Sequence, residues 1–510
     1  MKFDKIFCNG TVITMDNNLN QYEWVAVKDR KIAALGNGDA PKEADEIIDL
    51  NGQTVLPGVN DCHLHVLDTG KQLSGANLEQ CTSIQEVLDK IEDKCLNDHQ
   101  SGMICGNTFL LHNIKEKRFP TRYELDKVSH GRIVTVYSAT MHSCSCNTKA
   151  YELAGVPDDM PGVVKENGVP NGIYESDESV FYFQKHITKS LTDEDILKWI
   201  NICINEAVSK GCTGIHGLFG QYVYNDRDAS LAVEHIDEFP LDVTVFDQTW
   251  NVEDAKALGL PRVGGCLTLD GAAFEHTMAM FEPYMDAPHL RGVLFHSDQE
   301  VYDFISTAHA NDMQATMHAV GSRAIDQLLY TYRRVFGEQG RKNIRHRLEH
   351  FCEPTAEQIE MAKDMDIILS MQPSFSYFWD GPGQEFSMVV GCEKANEMDP
   401  YHKAIAAGIT VVGGSDGPVA PIDPLLYMAH CINGYNKVRN IPVDDAIRMI
   451  TINAAYAVGK EEITGSIEVG KRADMTITNL NPYEYADSPE IFNIKATYTV
   501  YKGDIVYKRG

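Results

Sequence analysis

The chain has 510 residues, 43% of them hydrophobic and 9% aromatic, which is ample for a large buried core. Its formal net charge is −28, with 45 Lys and Arg against 73 Asp and Glu. That balance excludes the basic footprint of a nucleic-acid binder and any attraction to anionic membranes. No run approaches the ~20 apolar residues of a membrane span, and the start, Met1-Lys2-Phe3-Asp4-Lys5-Ile6-Phe7, lacks a long apolar stretch. A soluble cytoplasmic protein is expected, with no nucleic-acid or membrane partner. The thirteen cysteines are scattered without a Cys-x-x-Cys pair, which fits reduced core thiols better than a disulfide framework or zinc knuckle.

Residues 1–58 are predicted to be all β. Short runs such as Lys5-Ile6-Phe7-Cys8 and Val25-Ala26-Val27-Lys28 are separated by Asn-Gly and Asp-Arg turn signals. The tail, 460–510, repeats the pattern in Ala473-Asp474-Met475-Thr476-Ile477 and Ala496–Tyr507. Neither end makes a stable sheet alone, so the two are expected to pair into one small composite β-sandwich. Between them, over 59–459, β-like and helical runs alternate. Leu191–Lys210 carries Ile196, Leu197, Ile200, Ile204 and Ala207 at helical spacing and is closed by Gly211; Cys212–Gly217 then reads as a strand. Ala324–Phe336, Thr355–Met365 and Pro400–Ala407 continue the alternation. The fold class predicted is α/β, a (β/α)8 TIM barrel, with an insertion at about 75–185 over its mouth. Gly381-Pro382-Gly383 is a candidate second lid element.

Four separated fragments read together as one metal site. His63-Leu64-His65 ends an apolar run, and side chains two apart on a strand share a face, so both imidazoles can reach one ion. His318 follows Ala315-Thr316-Met317 and precedes a helix. His350 ends Arg345–His350, with His346 a competitor earlier in that run. Asp416 follows Ile409–Ser415, a buried type of β run ended by glycines. Each lies where barrel enzymes place catalytic groups, at the C-terminal end of a strand. A divalent metal held by imidazoles and a carboxylate activates water, so the chain reads as a hydrolase.

These fragments resemble the amidohydrolase superfamily, and within it the YtcJ-like metal-dependent hydrolases. Leu56-Pro57-Gly58-Val59-Asn60-Asp61-Cys62-His63-Leu64-His65 is similar to the first-strand motif. His318–Ala324 is similar to the fifth, with Ser322 where Asp is usual. Arg347-Leu348-Glu349-His350 is similar to the sixth, and Gly414-Ser415-Asp416 with Pro418 to the eighth. Arg122–Asp126 and His142 with Asn147 resemble the family's insertion. The resemblance implies hydrolysis of a C–N bond in an amide, N-acyl, N-formyl or cyclic-amide small molecule, and a homodimer. It implies that His63 and His65 bind the more buried metal, that His318 and His350 bind a second metal or hold substrate, and that Asp416 touches metal and moves protons.

The chain departs from that pattern at one point. Subgroup members often carry a carboxylated Lys four residues before an Asp-Gly, where Cys266 precedes Asp270-Gly271 here. Three readings stay open: Cys266 bridges two metals as a thiolate, Glu175 supplies the bridging oxygen, or a single metal binds without a bridge. A thiolate among imidazoles favours Zn2+, one ion with a second allowed. In the mechanism expected, Asp416 takes a proton from water and returns it to the leaving nitrogen, while His318 or His350 helps stabilise the oxyanion. His142 and Arg323 are candidate substrate-binding residues, Arg323 with Asp326 as its alternative partner. His112, His216 and the Tyr377-Phe378-Trp379 cluster are weaker candidates. Deamination, isomerisation or non-oxidative decarboxylation on the same scaffold is the alternative activity, and a non-catalytic binding protein the last reading.

Overall fold

The structure, a computed structural model, describes residues 2–98, 102–138, 143–220, 227–379 and 384–510. The Gly381-Pro382-Gly383 element and His142 lie outside the described residues. The chain divides into two compact units: Met1–His65, Ile204–Leu218 and Ile236–Gly510 form the first, Val66–Cys203 and Phe219–His235 the second.

In the first unit, two sheets are built from the chain ends, the first from N-terminal strands alone and the second from both ends. One has the order Lys31–Gly36, Trp24–Lys28, Phe3–Cys8, Ala44–Asp49. The other runs Asp504–Lys508, Ala496–Tyr501, Met475–Thr478, Thr54–Pro57, Thr11–Ile13, Gln21–Tyr22, so N- and C-terminal strands pair directly, Ile477 opposite Val55. They share a core of Phe7, Val25, Val27, Val55, Met475, Ile477 and Val500. Most of these side chains are β-branched or aromatic, and the strands Thr54–Pro57 and Met475–Thr478 are buried along their whole length.

Among the described residues the same unit carries eight further strands, the second of them up to Leu218: β1 (Val59–His65), β2 (Cys212–Gly220), β3 (Asp242–Gln248), β4 (Arg262–Thr268), β5 (Gln314–Ala319), β6 (Arg347–His350), β7 (Ile368–Met371) and β8 (Val411–Gly413). They form a three-stranded sheet ordered β3-β2-β1 and a five-stranded sheet ordered β4-β5-β6-β7-β8. The β1–β2 pair and every pair of the second sheet are parallel. Beyond β8 the chain runs parallel beside β1, with Leu64 bridging Gly417 and Asp416 N–H donating to the His63 carbonyl at 2.9 Å. Gly414 permits this approach, because a Cβ there would stand 2.5 Å from His63 N.

The intervening helices start where side chains cap them. Ser297 with Glu300 and Thr355 with Gln358 form reciprocal capping boxes at Asp298–Ala310 and Ala356–Asp364. The helix Ser322–Gln339 buries Ile325, Leu328, Leu329, Tyr332 and Val335 at helical spacing and ends at Gly340, φ 80°. That stripe joins Ala315, Met317, Leu348 and Leu369 from the strands in one core.

The second unit is a six-stranded sheet ordered Val163–Glu166, Val169–Tyr174, Cys144–Cys146, Ile133–Ser138, Met103–Phe109, Ala76–Asn77. One face packs Val134, Val136, Ile104 and Ile173 against Ile84, Val87 and Ile91 of the helix Ile84–Asn97. Tyr137, Cys144 and Tyr174 stand in register across three strands and are buried.

Candidate metal centre

The strand ends of the first unit bring His63, His65, Cys266, His318, His350 and Asp416 together. Their ligand atoms fall into three groups that could each hold a cation: His63, His65 and Cys266; Cys266, His318 and His350; and His63, His350 and Asp416, with atoms inside each group within 4.8 Å. Asp416 Oδ1 lies 3.1 Å from His63 Nε2 and 3.2 Å from His65 Nε2. Cys266 Sγ lies 3.4 Å from both His318 Nδ1 and His350 Nε2. Two ligands of one cation, each about 2.0–2.3 Å from it, stand roughly 3.0–3.6 Å apart, so these spacings fit a shared ion.

The polar accounting points the same way. His63 Nε2, His318 Nε2 and Asp416 Oδ1 are buried without a hydrogen-bond partner. The first and last approach to 3.1 Å but are not aligned as donor and acceptor. Such orphaned atoms are costly unless something else satisfies them. The charges also call for cations. Burial alone would keep Cys266 a neutral thiol, yet the His318 and His350 imidazoles draw its pKa well below that of a free thiol. Burial likewise opposes ionisation of Asp416, which His63 and His65 nonetheless hold well below the ordinary carboxylate value. Ten of the other twelve cysteines are buried and none of the thirteen is in a disulfide, so Cys266 stands apart from the core thiols.

A buried network orients the imidazoles. Glu349 Oε2 accepts from His63 Nδ1 at 2.7 Å, which fixes the tautomer whose Nε2 lone pair faces the cluster. Glu349 is held in turn by Arg347 Nε at 2.9 Å and Nη2 at 2.8 Å, and by the Thr316 hydroxyl. Burial would raise the Glu349 pKa, but Arg347 and His63 hold it well below the usual range. Arg347 also meets His216 Nδ1 at 2.9 Å and the Cys62 carbonyl, so His216 belongs to this network. Gln372 Oε1 accepts from His350 Nδ1 at 2.8 Å. Asp270 takes three backbone N–H bonds, from Ala279, Val320 and Gly321, and places Oδ1 3.4 Å from His318 Nε2.

Local backbone geometry assembles the cluster. His350, Phe351 and Asp416 have φ of 77°, 56° and 59°. Non-glycine residues there cost on the order of 1–3 kcal/mol each and persist where surrounding structure imposes them. In a regular strand Glu349 and His350 would face opposite sides. The left-handed turn at His350 breaks that alternation, so both reach His63, Glu349 by hydrogen bond and His350 at a ring separation of 4.8 Å.

The other sequence-derived candidates fall elsewhere. Arg323 lies in the first turn of Ser322–Gln339 and donates Nη1 to the Arg291 carbonyl at 3.4 Å, while Asp326 accepts from Gln358. Glu175 is exposed, belongs to the second unit and joins none of the metal-capable groups among the described residues. His346 makes a buried pair with His309, Nε2 to Nδ1 at 2.9 Å, away from the metal-capable groups. His112 is exposed. Glu349, Gln372 and Asp270 were not singled out from the sequence as supports of the histidines. Glu349 was legible only as the neighbour of His350; Gln372, beyond β7, gave no signal.

The model of the amidohydrolase family matches residues 46–507. The amidohydrolase-type protein YtcJ of Bacillus subtilis (strain 168) is 27% identical, covering 99% of each chain. The N-substituted formamide deformylase of Arthrobacter pascens is 26% identical, covering 99% of this chain and 98% of that one. A solved structure of an uncharacterized metal-dependent hydrolase from Pyrococcus horikoshii superposes with a TM-score of 0.79 at 23% identity, covering 94% and 98%, and shares the fold. With these matches the class of protein is set: a hydrolase acting on carbon–nitrogen bonds. The chain belongs to the amidohydrolase family.

Proposed function

We propose that the chain is a metal-dependent amidohydrolase cleaving a non-peptide C–N bond of a small amide, an N-acyl or N-formyl compound, or a cyclic amide. The observation that carries this is the convergence of His63, His65, Cys266, His318, His350 and Asp416 from separate strand ends, with orphaned buried ligand atoms among them. The formamide deformylase among its relatives supports the N-acyl side of that substrate class. The eight strands β1–β8 are read as one closed (β/α)8 barrel, and 1–58 with 460–510 as a composite β-sandwich. We read the active form as a cytoplasmic homodimer.

Cys266 rather than Glu175 takes the bridging place, because its sulfur belongs both to the group with His63 and His65 and to the group with His318 and His350. A thiolate with imidazoles suits Zn2+. A divalent ion held there supplies Lewis acidity and lowers the pKa of water. Asp416, carried on the segment after β8 beside His63 and His65, receives the proton that the attacking water gives up and delivers it to the departing nitrogen. A carboxylate suits both transfers, because it accepts a proton only transiently beside cationic neighbours. His318 and His350 face the developing oxyanion. Glu349 and Gln372 accept from His63 Nδ1 and His350 Nδ1, which leaves both Nε2 lone pairs turned to the cluster, as ligands of an ion would be. His142 and Arg323 are proposed to contact substrate.

The test pairs elemental analysis with a panel of N-acyl, N-formyl and cyclic-amide substrates, with ammonia and CO2 release measured alongside. Asp416→Asn is expected to lower turnover about 10²–10⁴-fold at full metal content. Undiminished turnover at full occupancy would remove the proton-transfer role.

A further inference from the structure

We propose that the first unit binds an aromatic α-amino acid whose ring carries an O–H or N–H, in a cavity apart from the metal-capable groups. The cavity holds about 400 Å3, within the roughly 300–1,000 Å3 of small-molecule sites. It lies beside the helices Pro373–Trp379 and Pro424–Asn433 and the turn Pro489–Asn493, and rings from all three line it. Phe492 adjoins Tyr377 at a ring separation of 6.3 Å, Tyr377 meets His430 edge to face at 5.4 Å, and His430 adjoins Tyr435 at 6.3 Å. The four make one continuous aromatic wall, against which a planar ring packs well. Two residues before Tyr377, Phe375 stacks on His350 at 6.0 Å. Residues two apart on a helix do not share a face, so Pro373–Trp379 turns one side to the metal-capable groups and another to this cavity.

The polar groups of the lining define the rest of the ligand. His430 is only 5% exposed, and among the described residues its ring nitrogens make no hydrogen bond. Unlike His63 Nε2 they are not sealed off by protein, so they open on the cavity. Gly434 keeps that edge of the ring clear: a Cβ there would stand 3.0 Å from Cε1 and 3.2 Å from Nδ1. Burial first, and then the Arg439 guanidinium, lower the His430 pKa to about 4, so the imidazole is neutral and offers one donor and one acceptor. The acceptor nitrogen suits a phenol O–H or an indole N–H. Lys437 and Asp487 are the charged residues of the lining, and both are exposed. Lys437 spends one N–H on Asn433 Oδ1 and keeps two. Asp487 makes no hydrogen bond and no ion pair among the described residues. One cation and one anion beside an aromatic wall match the carboxylate and ammonium of a zwitterion, whereas a simple aromatic acid would set a second anion beside Asp487. Such binding requires no turnover and holds whether or not the hydrolase reading does.

Isothermal titration of the metal-loaded protein with L-tryptophan and L-tyrosine tests it. Three further probes each lack one group: tryptamine the carboxylate, 3-indolepropionate the ammonium, and L-phenylalanine the polar ring atom. Wild type is expected to show one saturable site, tighter for L-tryptophan or L-tyrosine than for any of the three. Lys437→Met should weaken the amino acid at least tenfold and leave tryptamine unchanged. Asp487→Asn should weaken the amino acid and spare 3-indolepropionate, and His430→Leu should bring L-tryptophan and L-tyrosine down to the level of L-phenylalanine. With Co2+ in the metal centre, saturating ligand should leave the visible spectrum unchanged, which separates this site from an amino acid bound at the ion. No saturable binding of L-tryptophan or L-tyrosine in wild type, equal binding in Lys437→Met and Asp487→Asn, or a cobalt spectrum altered by the ligand would each overturn the proposal.

Discussion

Replacing Cys266 by serine tests the centre most directly. The substitution removes one sulfur and keeps nearly the same volume. That sulfur is 3.4 Å from both His318 Nδ1 and His350 Nε2, and it is within 4.8 Å of the His63 and His65 nitrogens. With a metal–sulfur distance of about 2.3 Å and a metal–nitrogen distance of about 2.1 Å, a 3.4 Å separation corresponds to a ligand angle of about 100°, close to tetrahedral. Losing a partner behind a ligand costs roughly 10–100-fold in metal affinity. Losing the ligand itself should exceed that range, and a shared ligand should weaken two positions together. The assay is competition with a chelator of known affinity, read with the metal count per chain. Reconstitution with Co2+ adds a signature: a thiolate-to-cobalt charge-transfer band in wild type, absent from Cys266→Ser. Equal affinity, equal metal count and an unchanged cobalt spectrum would refute the assignment of Cys266 as a ligand, and would leave only imidazoles and Asp416.

Three other outcomes follow from the same geometry. Glu349→Gln should lower metal affinity by about 10–100-fold and destabilise the fold by about 3–5 kcal/mol, since it leaves Arg347 buried without its carboxylate; chelator competition and chemical denaturation read the two effects separately. Gly414→Ala should lower Tm and metal content together, because its Cβ would press against His63 N at 2.5 Å; an unaffected metal content would show that β1 yields without moving its histidines. The His309–His346 pair sets a pH dependence. Burial first, and then the other imidazole, hold His346 down at about 3, and burial lowers His309 as well. Both are therefore neutral in the folded chain. The stability this preserves is complete above the unfolded value of about 6.5 and falls as pH drops towards 3, with His346 alone contributing a loss of about 3 kcal/mol at pH 4. Denaturation curves at pH 7 and pH 4.5 should show this slope, and His346→Leu should flatten it; an equal slope in that variant would refute the assignment.

Much of the molecule is written in local patterns. The terminal strands and the helix Ser322–Gln339 follow from periodicities that need no partner to be read. The four histidines and Asp416 were legible because each ends a β-prone run, and a parallel sheet delivers such ends to one side. Cys266 was marked only by its departure from a familiar pattern, with three explanations open. Tertiary structure places its sulfur between two histidine pairs, because β4 lies beside β5 and β5 beside β6. The support of the histidines depends on contacts hundreds of residues apart, as between Glu349 and His63, and on a left-handed turn at His350 that strand alternation would have forbidden. His430 belongs to the same kind of fact: nothing in the sequence singles it out, and only the packing of three separate segments opens its ring on a cavity beside Tyr377 and Phe492. The sequence by itself determined which residue types stand at strand ends and which faces are apolar, since both follow from short-range periodicity. Which donors meet, which tautomer each imidazole takes and which charges go unpaired were decided by the tertiary structure, because hydrogen bonding and desolvation are set by distances that local sequence does not encode.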